Sequence, residues 1–181
     1  DVVYDFDRKA LSERVQGFIE RYNAEVDRYK RAGSPKDVDN FVNYDAVKWS
    51  AGLKGQLQRG KYARFENRKI RLSLYRPFSK QYLFFDRVLN EAVYVFPSIF
   101  PTAASEQENQ VIALTDLGSE KPFMTLISDS IADLHLVGAG SSAQCFPFYV
   151  YDEDGGNRRE NITDWALGVF RGRYALTPVP S

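Results

Sequence analysis

The apolar residues change period near residue 60, and that change requires two kinds of structure in one chain. Over residues 7–31, Leu11, Val15, Phe18, Ile19, Tyr22, Val26 and Tyr29 recur at helical spacing. This predicts an amphipathic helix with a single apolar stripe. Asp5 or Asp7 can cap its start, and Gly33 with Pro35 stops it. The opposite face carries mixed charge, the usual pattern of a solvated surface. A polar connection over 34–47 holds a helical turn around Asp37 to Tyr44. A short helix then fits 51–59, with Ser50 as N-cap, Leu53 and Leu57 one turn apart, and Gly60 at its end.

Beyond Gly60 the pattern alternates. In RKIRLSLY (68–75), Ile70, Leu72 and Leu74 alternate with Arg71, Ser73 and Tyr75. This predicts a half-buried strand with Arg71 on its polar face. Arg76-Pro77-Phe78-Ser79 reads as a turn and QYLFF (81–85) as a returning strand, so 69–85 is expected to be a hairpin. Further strands are expected at 92–96, 110–115, 122–128 and 146–151, punctuated by prolines. A last helix suits 163–171, with Thr163 as cap and Trp165, Ala166, Val169 and Phe170 as its inner face. The expected class is α+β: N-terminal helices packed on a mostly antiparallel twisted sheet, with a C-terminal helix closing the core. Residues 1–60 are expected to be a helical segment and 61–181 a β-rich domain.

At 181 residues the chain can bury a core without covalent staples. Its one cysteine, Cys145, and one histidine, His135, leave too few nitrogen and sulfur ligands for zinc. No apolar run is long enough to cross a membrane, and no signal segment opens the chain. A reducing, cytoplasmic setting is the simple expectation. The start at Asp1, without Met, suggests a piece of something longer.

Charge is the second constraint. The chain has 24 Lys and Arg against 24 Asp and Glu. Yet Lys48 to Arg87 holds eleven basic residues and only two acids, Glu66 and Asp86, a net charge of +9. Such a block draws polyanions, of which a nucleic-acid backbone is the commonest. Arg outnumbers Lys in it, and Arg forms paired hydrogen bonds with phosphate and guanine. Trp49, Tyr62, Phe65, Tyr75, Phe78, Tyr82, Phe84 and Phe85 are interleaved with these charges. Some must be core, and Leu83 and Phe84 read best that way. The residues expected to contact DNA are Lys54, Arg59, Lys61, Arg71, Arg76, Lys80, Tyr82 and Arg87. Arg76 has two readings, a DNA contact or an ion pair with Asp86 or another acid that orients the turn.

Catalytic signatures are missing. There is no phosphate-binding GxxxxGK[ST] loop, no Asn/Asp-Pro-Pro-aromatic motif and no glycine-rich methyl-donor loop. His135 lacks a partnered nucleophile and reads as a core or edge residue. Gly138 to Ser142 could offer amides to an anion but reads better as a loop. Asp152, Glu153 and Asp154 are not at EF-hand spacing, so a salt-bridged turn is favoured over a metal or nuclease site. Asn161-Ile162-Thr163 reads as a helix cap.

YRPFSKQYLFFDRVLNEAVYVFPSIFP (75–101), ENQVIALT (108–115), QCFPFYVYDEDGGNRRENITDWAL (144–167) and KWSAGLKGQLQRGKYARF (48–65) together cover most of the chain. They resemble the C-terminal target recognition region of the single-chain type ISP restriction-modification enzymes. The resemblance implies a non-catalytic module that binds duplex DNA and reads a short site. It would hold the DNA against an upstream adenine methyltransferase domain, which flips the target base, and would gate translocation and cleavage by other domains. S-adenosylmethionine, ATP and magnesium would serve the intact polypeptide, with no cofactor in this piece. Base reading is then expected from loops such as Thr115 to Pro122 or Gly138 to Gln144, and the YRPF turn is expected to be scaffold or to meet the DNA backbone. The rival reading is an interdomain docking module whose basic block meets an acidic face of the methyltransferase or motor.

Overall fold

The computed structural model describes residues 2–91, 93–137 and 142–174. In chain order the elements are β1 (Tyr4–Asp5), α1 (Arg8–Arg31), α2 (Val38–Phe41), α3 (Ala51–Gln58), β2 (Ile70–Arg76), β3 (Ser79–Phe84), α4 (Phe96–Ile99), α5 (Ser105–Glu108), β4 (Val111–Thr115), β5 (Thr125–Ser128), β6 (Ile131–Ala132), β7 (Ala143–Pro147), β8 (Tyr149–Val150), β9 (Arg159–Glu160) and α6 (Asp164–Tyr174). The class is α+β. Among the described residues the strands form three sheets, ordered β1-β3-β2-β6, β5-β4-β7 and β8-β9, and their pairs are antiparallel except β2 with β6.

Helix α1 follows its sequence pattern. All seven residues of the expected stripe are buried. Asp7 caps it by accepting from the Ala10 amide at 2.8 Å. Gly33, at φ +76°, lets the chain leave in the left-handed region, and the Ser34 amide closes back onto the Tyr29 carbonyl at 3.0 Å. The stripe packs with Leu53 and Leu57 of α3 and with Ile70 and Phe84 of the hairpin. Directional bonds fix the helix in place. Tyr22 Oη donates to the Lys61 carbonyl at 2.8 Å, and the Asn23 amide exchanges two 3.0 Å bonds with the Ala63 backbone. Arg28 grips Glu25 in a two-point pair at 2.8 and 2.7 Å and also reaches the Phe41 carbonyl.

The opposite face of the hairpin is covered too. Leu83 packs with Ile99, Phe100, Val111 and Ile131 in a second cluster. This corrects the expected strand face: Arg71, which pairs across the ladder with Leu83, is only 7% exposed, whereas Leu72 is open to solvent. Alternation assigns side chains to faces but does not say which face a later segment will cover. The covering segment contains the second correction. A strand was expected over 92–96, but Phe96–Ile99 is a helical turn with proline near its start. Pro97 suits a first helical turn and would break a ladder. Ala92 lies outside the described residues. β5 begins at Thr125, later than expected, and the expected 146–151 strand is divided between β7 and β8.

Asn109 binds the second half of the fold together. Its fully buried amide donates to the Ile99 and Tyr149 carbonyls at 3.0 and 2.8 Å and accepts from the Gln110 and Tyr149 amides at 2.9 and 2.8 Å. The C-terminal helix is present and Thr163 caps it, accepting from the Ala166 amide at 3.2 Å. Its expected inner face is not buried, however. Trp165 is 77% exposed, and Val169 and Phe170 are also open, so α6 does not close a core among the described residues.

Two outcomes are expected. Asn109→Ala leaves several buried backbone groups without partners and should cost roughly 3 kcal/mol in urea denaturation. A loss below about 0.5 kcal/mol would mean that the network carries no weight. The Glu25 carboxyl is held below its ordinary range, chiefly by the Arg28 hydrogen bonds. A carboxyl depressed by folding contributes stability above its unfolded pKa, and that stability is lost as pH falls through the folded value. Glu25→Gln should therefore lose less of its urea midpoint than the unaltered chain between about pH 6 and about pH 3.

Candidate nucleic-acid interface

The basic block folds into α3, an extended stretch over 59–69, the β2–β3 hairpin and the turn after it. Seven of its eleven cations are ion-paired. Lys54 meets Asp39 and Arg87 meets Glu153 in short contacts. Arg68 lies 2.6 Å from Glu66, and Lys69 bridges Glu66 and Asp86 at 2.9 Å each. Arg71 lies 2.6 Å from Glu106, Arg76 lies 2.8 Å from Asp133, and Lys80 lies 3.2 Å from Asp129. Five of these acids come from outside the block, so the fold returns its acidic frame onto the basic centre. Among the described residues, Lys48, Arg59, Lys61 and Arg64 are the block's cations without an ion pair, and all four are exposed.

The eight expected contact residues therefore separate. Arg59 and Lys61 are exposed and uncompensated. Lys54, Lys80 and Arg87 are tied to acids but reach solvent. Arg76 is ion-paired with Asp133. Its Nη1 also donates to the Tyr75 carbonyl at 2.6 Å, and its guanidinium lies 4.1 Å above the Tyr75 ring. Tyr82 is half-buried against the first core cluster. Arg71 is furthest from solvent. It donates to the Thr102 carbonyl at 2.6 Å, and its Nε has no hydrogen-bond partner among the described residues. Burial pushes the Glu106 carboxyl above its ordinary range, and Arg71 offsets only part of that rise.

Arg59 and Arg87 line a groove made of two adjoining hollows of about 430 and 580 Å³ that share Arg87 and Val93. Arg68, Lys69 and Arg71 border the first, and Tyr94 borders the second. Arg87 reaches Glu153 across the first hollow. Tyr94 was missed in the sequence. It is exposed and sits at φ +42°, in the left-handed region. Lys48 and Arg64 belong to the block without standing out in it, because local sequence does not say which cations will meet acids from distant strands.

The acidic turn behaves as a salt-bridged turn. Asp152 pairs with Arg159 at 3.2 Å, Glu153 with Arg87, and Asp154 caps the Gly156 amide at 2.8 Å. No cluster of metal-ligating side chains occurs among the described residues. No described helix is long and apolar enough to cross a membrane. Burial pushes the Cys145 thiol up to about 11, which keeps it protonated near neutral pH. Of the two loops expected to read bases, 115–122 is described and exposes Leu117, whereas 138–141 lies outside the described residues.

Residues 1–180 match the family described as the type ISP C-terminal specificity domain. Solved structures are similar over nearly the whole chain. A nuclease-deletion mutant of the type ISP restriction-modification enzyme LlaGI, in complex with a DNA substrate mimic, is 33% identical with a TM-score of 0.77; the match covers 90% of this chain and 16% of that one. A DrdV–DNA complex is 34% identical with a TM-score of 0.77, covering 99% of this chain and 17% of that one. The ATP-dependent type ISP enzyme LlaBIII bound to DNA shares the fold at 22% identity and a TM-score of 0.74, covering 93% of this chain and 11% of that one. The chain thus spans about a sixth of the first two. No match was found among curated proteins.

Because Arg71 is buried beside an acid, it is expected to act on stability first. Arg71→Ala leaves Glu106 without its partner and should cost about 3 kcal/mol in chemical denaturation. Arg59→Ala should stay within about 0.5 kcal/mol. Equal losses for the two would contradict the burial difference.

Proposed function

Since this chain belongs to the type ISP C-terminal specificity domain family, we propose that it is the module that recognises the DNA target of a restriction-modification polypeptide. The observation that carries this reading is that similar structures at 33% and 34% identity are DNA complexes. The chain's own chemistry supports it. Arg59, Lys61 and Arg64 are exposed cations near the end of α3, and Arg59 opens onto the groove that continues through Arg87. Such cations exchange condensed counterions for protein contacts along the phosphate backbone. The Arg87–Glu153 pair is exposed on both sides and so weakly held that a phosphate can take the place of Glu153.

In this reading the module acts in the cytoplasm and supplies recognition, not catalysis. It presents the duplex to an upstream adenine methyltransferase domain and gates translocation and cleavage by other parts of the polypeptide. S-adenosylmethionine, ATP and magnesium serve those parts. Phosphate contacts set position, and the 115–122 loop reads bases.

The docking alternative has one observation in its favour. Ile127, Ile112 and Phe146 are register partners across β5-β4-β7, and all three are exposed. With Trp165, Val169 and Phe170 of α6, they give the chain apolar surface suited to a protein neighbour.

Fluorescence anisotropy of a labelled duplex across a salt series tests the DNA reading. Affinity should fall linearly on a log–log plot, and Lys61→Gln with Arg64→Gln should lower the slope by about two. No binding at low salt would sink the reading and favour docking. An unchanged slope would move the phosphate contacts elsewhere.

A further inference from the structure

Phe78 sits at the tip of the β2–β3 hairpin with 94% of its surface exposed. Its φ of +63° is in the left-handed region, at the second position of a two-residue turn after Pro77. Glycine or asparagine favours that position. A water-exposed phenyl ring and a strained backbone both cost free energy, and no packing among the described residues offsets either.

The turn also holds the backbone that carries the ring. Pro77 restricts the backbone, and the ladder shifts register between Leu74 and Arg76. Arg76 is anchored to Asp133, to the Tyr75 carbonyl and over the Tyr75 ring. A backbone held in this way loses little freedom when the ring meets a partner. Arg76 and Lys80 stand two residues to either side, and their acids, Asp133 and Asp129, are both partly exposed. Below the ring a hollow of about 530 Å³ opens between the hairpin and β5, bordered by Leu74, Lys80, Ile127 and Asp129.

Building on the DNA-binding reading above, we propose that Phe78 is a wedge that stacks on the bases of the bound duplex. A two-stranded ribbon fits a DNA groove, and an apolar side chain at its tip can enter between base steps. Lys80, whose pair with Asp129 is exposed on both sides, then exchanges that acid for a phosphate beside the ring. Stacking tolerates any sequence, because every base has a π face. The wedge therefore adds affinity and bends or unstacks the duplex without reading it.

The test uses the full 181-residue chain and labelled duplexes of randomised sequence. Phe78→Gly relieves the strained φ, so its thermal midpoint should equal or exceed that of the unaltered chain. Its DNA affinity should fall about 5- to 100-fold, with the slope against salt unchanged, because stacking releases few counterions. Phe78→Leu should lose a similar factor and Phe78→Trp should retain binding. A duplex carrying 2-aminopurine should brighten with the unaltered chain and not with Phe78→Gly. If the unaltered chain binds with a salt slope and Phe78→Gly matches it in affinity and 2-aminopurine signal, the wedge is overturned and the DNA reading stands. If Phe78→Leu binds like the unaltered chain and Phe78→Trp does not, the ring fills an apolar pocket and base stacking is wrong. If the unaltered chain binds no duplex, both readings fall.

Discussion

Leu83 and Phe84 are sequence neighbours on one strand, so their side chains point to opposite faces, and both are buried. That double burial organises the molecule. Phe84 faces the stripe of α1 and stacks with Phe65 at a centroid distance of 5.6 Å. Leu83 faces the segment that carries α4 and β4. The hairpin is thus the layer shared by both packing faces, and α1 and the second sheet need not touch to be fixed relative to each other. It also explains Arg71. Once the second face is covered, a cation in the middle of that strand has no route to water, and Glu106 with two backbone carbonyls has to satisfy it.

The same packing changes the meaning of the charge. Read linearly, residues 48–87 are a dense cationic block; folded, most of that charge is answered by acids. What remains uncompensated flanks α3, with Lys48 before it and Arg59, Lys61 and Arg64 at or beyond its end, rather than lying along the hairpin. Paired exposed charges are worth little to stability, so they can exchange partners readily. The surface therefore combines a few permanently available cations with several that become available when a competing anion arrives. A long-range field from the net charge is weak in such a chain, and contact chemistry dominates.

Much of this was legible in the sequence, and the failures have physical causes. The α1 stripe was read residue for residue because helical burial depends on local period and a single covered face. Its Asp7 cap, the Ser50 cap of α3 and the hairpin turn were equally local. Arg71 was misplaced because burial of its face depends on residues some thirty positions later. The expected strand at 92–96 yielded to Pro97, whose geometry outweighed the β-favouring residues before it. The α6 helix was right as a helix and wrong as a lid, since amphipathic spacing predicts a face and not what covers it. The pairings of Arg76 with Asp133 and Lys80 with Asp129 join residues about fifty positions apart, and no single-chain pattern exposes them.

The loop between β4 and β5 is closed at its own base. Thr115 Oγ1 accepts from the Met124 amide at 2.8 Å and lies 3.2 Å from the Pro122 carbonyl, while the Thr115 amide donates to the Met124 carbonyl at 3.0 Å. The strands below take stability from Asn109 and the buried clusters, and Asp116 ties the start of the loop to β7, its amide donating to the Ser142 carbonyl at 3.2 Å and its carboxylate accepting from the Gln144 amide at 2.7 Å. Lengthening such a loop costs chain entropy only slowly. Its tip beyond Asp116 is thus loosely coupled to the scaffold, so substitutions there cost the fold beneath little stability. A protein built this way can diversify what it contacts faster than it can diversify its shape.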